Sequence, residues 1–436
     1  MKLSEISTNS LNPQPWLDKV YQLPRFDLNA IREKTYHQPT WIHFGAGNIF
    51  RGFPAAVLQK ALDCGAYDRG VIVAEGFDYE IIDKSYRPYD NLSLLVLLKS
   101  DGSIEKRVVA SVTESLKADF QFAEDWNRLA EIFRAPSLQM ISFTITEKGY
   151  SVAPADLERG MKPVLMMGKL TALLYQRYLA GAHPVTVQSM DNCSHNGDKL
   201  YAAVDAFAKA WCEAGLAEAG FVDYVNDTKS VSFPWSMIDK ITPRPDASVE
   251  ELLKADGMED LDPVITSMNT YVAPFVNAEE CEYLVIEDAF PGGRPNLEAG
   301  GLMFTDKETV DKVEKMKVCT CLNPLHTALA VFGCLLGYDL ISKEMKDETL
   351  KKLVEGIGYV EGLPVVINPG IINPREFIDT VVNVRIPNPF MPDTPQRIAC
   401  DTSQKLAIRF GETIKAYKAS GELDVMDLKL IPLVFA

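Results

Sequence analysis

Asn323, Pro324 and His326 stand in the stretch Lys317-Val-Cys-Thr-Cys-Leu-Asn323-Pro-Leu-His326-Thr-Ala-Leu-Ala-Val-Phe-Gly, where an amide and an imidazole share one local element. Asn323-Pro324 reads as an N-cap followed by the first helical residue, opening a helix that runs to Gly337. Asn323 and His326 then meet at the helix mouth. With the Asn323 carboxamide oxygen spent on the cap, its NH2 is left to donate to an alcohol or carbonyl oxygen.

A second constellation is Gly45-Ala46-Gly47-Asn48-Ile49. Glycines before a helix let backbone N–H groups approach a pyrophosphate, and the helix terminus adds partial positive charge. Gly45, Gly47, Asn48 and Ile49 are therefore candidate cofactor contacts, although Phe50 stands where a third glycine usually allows close packing. Glu75 ends the next apolar run and can accept both hydroxyls of an adenosine ribose while repelling a 2′-phosphate, which favours NAD over NADP. Asn192 follows another apolar run and can donate to a substrate oxygen; the turn-forming run Asn192-Cys-Ser-His-Asn-Gly197 equally reads as a plain turn.

These residues need a scaffold. Thr40–Phe44 and Val71–Glu75 read as buried strands flanking the glycine turn and a helix over Phe53–Leu62, a unit that implies parallel pairing. Asp101-Gly102 between Leu94–Lys99 and Ile104–Ala110 predicts an inserted hairpin. Met140–Thr146, Val185–Met190 and Glu282–Ile286 are further strands, and Leu200–Trp211 has helical spacing. Residues 1–39 show no clear period and read as an irregular lead-in. From about Lys307 the pattern turns helical, with candidates at Thr327–Leu336, Lys346–Glu355 and Ser403–Ala419. The fold class is thus α/β: a Rossmann-like dinucleotide-binding domain with an extended sheet over 1–305, its core module about 40–200, then a mostly α-helical substrate domain over 306–436.

At 436 residues, 47% hydrophobic and 24% charged, the chain can bury more than one core. A net charge of -16 disfavours nucleic acid. Met1–Ser7 lacks the apolar core of a signal peptide, and no run approaches 18 uncharged apolar residues, so a cytoplasmic location without membrane contact is expected. The eight scattered cysteines read as reduced thiols. Cys319, Cys321, His326 and Cys334 lack paired zinc spacing, and no metal is expected.

The blocks His43-Phe-Gly-Ala-Gly-Asn-Ile49 with Arg51-Gly-Phe53, Thr144-Ile-Thr146-Glu-Lys-Gly-Tyr150, Asp191-Asn192 with Asn196-Gly197, and Met237-Ile-Asp239-Lys-Ile-Thr-Pro243 come in one order. Ile286-Glu-Asp288, Phe290-Pro-Gly-Gly-Arg-Pro295, the Lys317 segment, Asn388-Pro389 and Asp393-Thr394 follow. Together they resemble the mannitol dehydrogenase family of polyol-specific long-chain dehydrogenases and reductases. The resemblance implies zinc-independent hydride transfer to NAD, with Lys317 as general base, Asn192 and Asn323 holding the reacting oxygen, His326 orienting the substrate and Glu314 passing protons to solvent. It also places Thr146 among the cofactor contacts and Asp239 among the substrate contacts. A lysine near its ordinary pKa of about 10.4 serves as such a base only where desolvation or a neighbouring cation lowers it.

The family leads one to expect four residues between lysine and asparagine, whereas five stand here, and members with this N-terminal extension usually continue past Leu430–Ala436, so the chain reads as cut short. The implied activity interconverts a sugar acid or polyol and its keto form, D-mannonate and D-fructuronate being the preferred pair. Arg385 or Lys405 is expected to read the acid's carboxylate. A neutral polyol dehydrogenase of the mannitol 2-dehydrogenase kind and a noncatalytic NADH-binding homologue are the alternatives.

Overall fold

Short apolar runs bounded by turns become strands buried on both faces, as a parallel sheet covered by helices requires. The computed structural model describes residues 1–8 and 11–436. Six strands, β1 Trp41–Phe44, β2 Val71–Glu75, β3 Val112–Lys117, β4 Met140–Phe143, β5 Val185–Ser189 and β6 Val231–Ser232, form one parallel sheet in the order β3-β2-β1-β4-β5-β6. This is the doubly wound dinucleotide-binding order, and the chain reverses direction across the sheet between β1 and β4. Ligands of such sheets bind beyond the carboxyl ends of the strands at that switch point.

The helices are α1 Asn48–Gly52, α2 Pro54–Asp63, α3 Ala123–Arg134, α4 Met166–Leu179 and α5 Asn196–Glu213. Ile42 and Phe44 of β1 pack with Phe133, Leu173 and Trp211 from α3, α4 and α5, while Trp41 packs with Val57 and Leu58 from α2. Adjacent residues of one strand thus feed two cores, each fully buried large side chain contributing about 1.5–3 kcal/mol. The helix expected over Phe53–Leu62 is preceded by the separate turn α1, broken from α2 at Phe53 (φ -135°, ψ -77°).

Ser93–Leu98 and Ile104–Val109 pair as the expected hairpin, closed at Gly102 (φ 86°), within a four-stranded sheet that also takes in Tyr21–Gln22 and Phe275–Glu279. A three-stranded sheet follows: β7 Ser236–Asp239, antiparallel to β8 Tyr283–Glu287, which is parallel to β9 Met303–Thr305. Among the described residues, the segment before residue 40 is not an irregular lead-in. Leu3, Trp16, Tyr21 and Ile31 are buried, and Leu28–His37 is a helix capped by Asp27, so a few well-spaced apolar anchors order a segment with no visible period.

Two compact units emerge: Met1–Leu97, Glu105–Ala278 and Glu282–Lys307 make the first, and Leu98–Ile104, Glu279–Cys281 and Glu308–Ala436 the second. The second is helical. Its elements include α6 Lys307–Met316, a π-helical turn Lys317–Cys321, α7 Asn323–Leu336, α8 Glu348–Glu355, α9 Pro374–Thr380, α10 Thr402–Arg409 and α11 Gly411–Ser420. Asp347 and Asn373 cap α8 and α9 through their side chains. The single helix expected over Ser403–Ala419 breaks at Phe410 (φ -125°), whose ring is fully buried.

The run Lys307–Leu336 is long and apolar enough to cross a membrane by length and composition, yet 56% of its apolar window is buried inside the protein, as a core helix requires. Its buried residues Leu325, Ala328 and Leu329 belong to that core.

Candidate functional site

In the first unit the site begins where β1 ends. Gly45 has φ 108°, and a Cβ there would stand 2.2 Å from the Thr144 carbonyl oxygen, so only glycine lets the chain pass the end of β4. Gly47 is extended, and a Cβ on it would meet nothing within 4 Å, leaving open ground over the turn for a pyrophosphate. Phe50, in the place of the third glycine, is buried and stacks on His43 with centroids 4.2 Å apart. His43 in turn bonds Ser142 Oγ (2.7 Å) and Thr144 Oγ1 (2.8 Å), and burial pushes its pKa down to about 3, so it is a neutral core group. An aromatic stack therefore does the packing that a glycine does elsewhere. Asn48 is committed through Oδ1, which accepts from Arg51 Nη2 at 2.8 Å.

Glu75 lies at the carboxyl end of β2, as expected, but its carboxylate turns inward. Oε2 accepts from the Ala46 N–H (2.9 Å), Oε1 from the N–H groups of Phe77 (2.9 Å) and Asp78 (3.3 Å). Burial raises its pKa above the ordinary value. In this structure the acid holds the glycine turn and its own following turn, rather than presenting both oxygens outward for a ribose.

Asp191, two residues past the end of β5, organises the next turn. Its carboxylate accepts from the N–H groups of Ile145 (3.1 Å) and Thr146 (2.8 Å) and from the Tyr150 hydroxyl (2.5 Å), which also meets Ser189 Oγ at 2.6 Å. Burial raises the pKa values of both Asp191 and Tyr150. Thr146 needs this support, since at φ 65° it occupies a region that costs a side-chain-bearing residue about 1–3 kcal/mol. Asn196 binds the Asp191 carbonyl and the backbone and hydroxyl of Ser236 at 3.0 Å each, clamping the turn that carries exposed Asn192 to the start of β7. Asp239 is buried at the far end of β7, opposite Tyr283. Sequence reasoning singled out Asn192 and Thr146 but not the carboxylate between them; its place two residues past a β-strand, one residue before Asn192, was the available signal.

In the second unit the chemistry sits on the helix Lys307–Leu336. Lys317 is buried, 3% exposed, and opens the π turn, whose Leu322 N–H donates to the Lys317 carbonyl five residues back (3.1 Å). A π turn absorbs one extra residue within an α-helix. The five residues between Lys317 and Asn323 thus run through the π turn and the non-helical Leu322 before helix resumes at Asn323. Lys315 differs plainly: it is exposed and paired to Asp311 at 2.6 Å. Glu314 lies one turn before Lys317, half-buried.

Asn323 does not cap a helix start with its side chain. A helix does begin at Asn323, with Pro324 in its first turn, but the cap position falls on Leu322 (φ -127°, ψ -62°) without a side-chain bond, and the Asn323 carbonyl accepts from Thr327 Oγ1 (2.8 Å). His326 is 22% exposed at its side chain, with Nε2 3.5 Å from Asp393 Oδ2. Burial pushes its pKa down to about 4, Asp393 opposing and Arg385, Arg409 and Arg397 reinforcing, so it is neutral near pH 7.

The two expected carboxylate readers each have partners within the protein. Arg385 is buried against the buried Glu279, Nη2 to Oε1 2.8 Å. Lys405 donates to the carbonyls of Ile398 (3.0 Å) and Cys400, capping the short helix Pro395–Ile398. No disulfide joins the eight cysteines, burial pushes Cys319 up to about 11 and Cys321 to about 12, and among the described residues no group of His, Cys, Asp and Glu is arranged to hold a metal.

Against known proteins, residues 39–299 match the mannitol dehydrogenase Rossmann domain and 309–431 the mannitol dehydrogenase C-terminal domain. The chain is 56% identical over 426 residues to a D-mannonate oxidoreductase of Thermotoga maritima, covering 95% of this chain and 78% of that one. It is 28% identical to a mannitol 2-dehydrogenase of Cereibacter sphaeroides over 88% of this chain and 76% of the relative. Among solved structures, the mannitol 2-dehydrogenase of Pseudomonas fluorescens, in a ternary complex with NAD and D-mannitol, superposes with a TM-score of 0.72 at 26% identity, covering 98% of this chain and 82% of the other. A substrate-free D-sorbitol dehydrogenase gives 0.78 at 26% identity, covering 93% and 80%. With both domains matched in order across nearly the whole chain, this protein belongs to the mannitol dehydrogenase family.

Proposed function

We propose that the chain is a zinc-independent, NAD-dependent oxidoreductase that interconverts D-mannonate and D-fructuronate in the cytoplasm. The observation that carries the substrate is the 56% identity to a D-mannonate oxidoreductase over 95% of the chain. The open ground over Gly47, at the switch point of a sheet with dinucleotide-binding order, suits the pyrophosphate of NAD.

NAD, when bound, supplies the hydride acceptor. In this reading Lys317 takes the hydroxyl proton of the alcohol at Nζ, and Glu314, one turn back on the same helix, passes it towards solvent. The Asn192 and Asn323 carboxamides donate to the oxygen as alkoxide character develops. His326, uncharged at neutral pH, orients the substrate without competing for the proton. Asp239 adds a polyol contact. Thr146, presented by Asp191, contributes its turn to the cofactor side.

Steady-state reduction followed by NADH absorbance tests this reading, with D-fructuronate and D-fructose as substrates. kcat/KM for D-fructuronate should exceed that for D-fructose by about a hundredfold or more, because a site built around a charged group rejects the analogue lacking it. Comparable values, or a preference for D-fructose, would favour a neutral polyol dehydrogenase, the activity named for the solved P. fluorescens relative. NADH binding without turnover of any ketose or uronate would leave a noncatalytic homologue.

A further inference from the structure

Three guanidinium groups stand close enough to His326 to depress its pKa, and they differ in what balances them. Arg385 is paired with Glu279 and Arg397 with Asp393. Arg409, the last residue of α10, has no carboxylate within ion-pair distance among the described residues. Its Nη1 donates to Thr327 Oγ1 at 2.5 Å, and that hydroxyl donates to the Asn323 carbonyl at 2.8 Å. Arg409 is therefore tied by one neutral bridge to the segment that carries Asn323 and His326.

We propose that Arg409 is the specificity-determining residue that reads the substrate carboxylate, an assignment that rests on the sugar-acid reading above. Guanidinium has five N–H donors in a planar fork. Arg409 spends one of them on the protein, on a hydroxyl, while half-buried. A partly desolvated guanidinium gains from an anion that meets it, and a carboxylate fits the remaining fork with two parallel bonds. Burial already lowers the Arg409 pKa from its ordinary value, the effect that such an anion would reverse. A neutral hexulose offers no group to do so. The same geometry explains how an acid substrate is recognised although Arg385 and Lys405 are occupied.

The test compares the parent with Arg409→Gln and Arg409→Lys, measuring kcat/KM for D-fructuronate and for D-fructose with NADH, alongside thermal melts. In Arg409→Gln the fructuronate-to-fructose ratio should fall about tenfold to a hundredfold, the range for a hydrogen bond to a charged group, with the loss carried mainly by KM. Arg409→Lys keeps the charge without the fork and should recover part of the ratio. Proportional losses on both substrates in both variants would make Arg409 structural and overturn the assignment. A parent active on D-fructuronate whose ratio survives Arg409→Gln overturns the assignment alone; a parent inactive on D-fructuronate overturns the sugar-acid reading and the assignment with it.

Discussion

Arg177 in the first unit is fully buried and Arg409 in the second half-buried, and the protein meets them very differently. Arg177 is fully buried and donates to the carbonyls of Phe133, Ala135, Leu138, His183 and Pro184, so the whole fork closes on backbone that joins α3, α4 and the approaches to β4 and β5. Arg409 meets one hydroxyl. Two buried glutamates repeat the contrast. Glu75 accepts three backbone N–H bonds, whereas neither oxygen of Glu344 has a hydrogen-bond partner among the described residues. Arg177 and Glu75 hold loops in shape; Arg409 and Glu344 keep bonding capacity in hand. A buried charge is thus read by counting its partners, since full satisfaction marks a clamp and a deficit marks either a strained core or a place for a ligand.

The largest expected effect is on the clamp. Arg177→Met leaves five carbonyls without their donor and should lower stability by about 3–5 kcal/mol, read as a fall in denaturant midpoint or as loss of soluble protein. A melt unchanged by that replacement would break the contrast at its firmer end.

Lys317→Met exchanges folding for chemistry. Methionine keeps an unbranched apolar chain of similar length in the buried position, and kcat for alcohol oxidation should drop on the order of 10²-fold or more, with NADH affinity near that of the parent. Lys315→Met, at an exposed residue paired with Asp311, serves as the control and should leave kcat close to the parent value. Parent-like kcat in Lys317→Met would remove the lysine from the mechanism without touching the family placement.

The smallest effect belongs to Glu344, whose carboxyl burial pushes up to about 8. A folded-state pKa raised above the unfolded one stabilises fully below the unfolded value and loses that stability as pH rises through the folded value. Parent Tm should therefore decline between roughly pH 5 and 9 relative to Glu344→Gln, which cannot ionise, by a few degrees. Parallel Tm profiles for the two proteins would show that Glu344 finds a partner in solution.

Much of the nucleotide-binding half was legible because its signals are local. A strand, Gly45 and Gly47, a helix and a second strand ending in Glu75 are contiguous, and each step follows from neighbouring residues. β3 escaped notice because Val112-Thr-Glu-Ser-Leu-Lys117 carries few apolar residues for a buried strand; its pairing with β2 supplies what its composition lacks. The helix start at Asn323-Pro324 was legible, but the π turn before it was not, because a five-residue hydrogen-bonded loop leaves no periodic signal in the side chains.

By itself the sequence determined the fold class, the dinucleotide turn and the order of the blocks that place the chain in its family. Period, glycine placement and turn chemistry act over a few residues and need no knowledge of distant partners. Only the tertiary structure decided which charges are occupied. Arg385 meets Glu279 across 106 residues of chain, and Arg409 meets Thr327 across 82. Because an ion pair gains or loses its meaning through desolvation and geometry rather than through spacing, Arg385, Lys405 and Arg409 look alike in the sequence, whereas the fold sets the first against a carboxylate, the second against two carbonyls and the third against a hydroxyl.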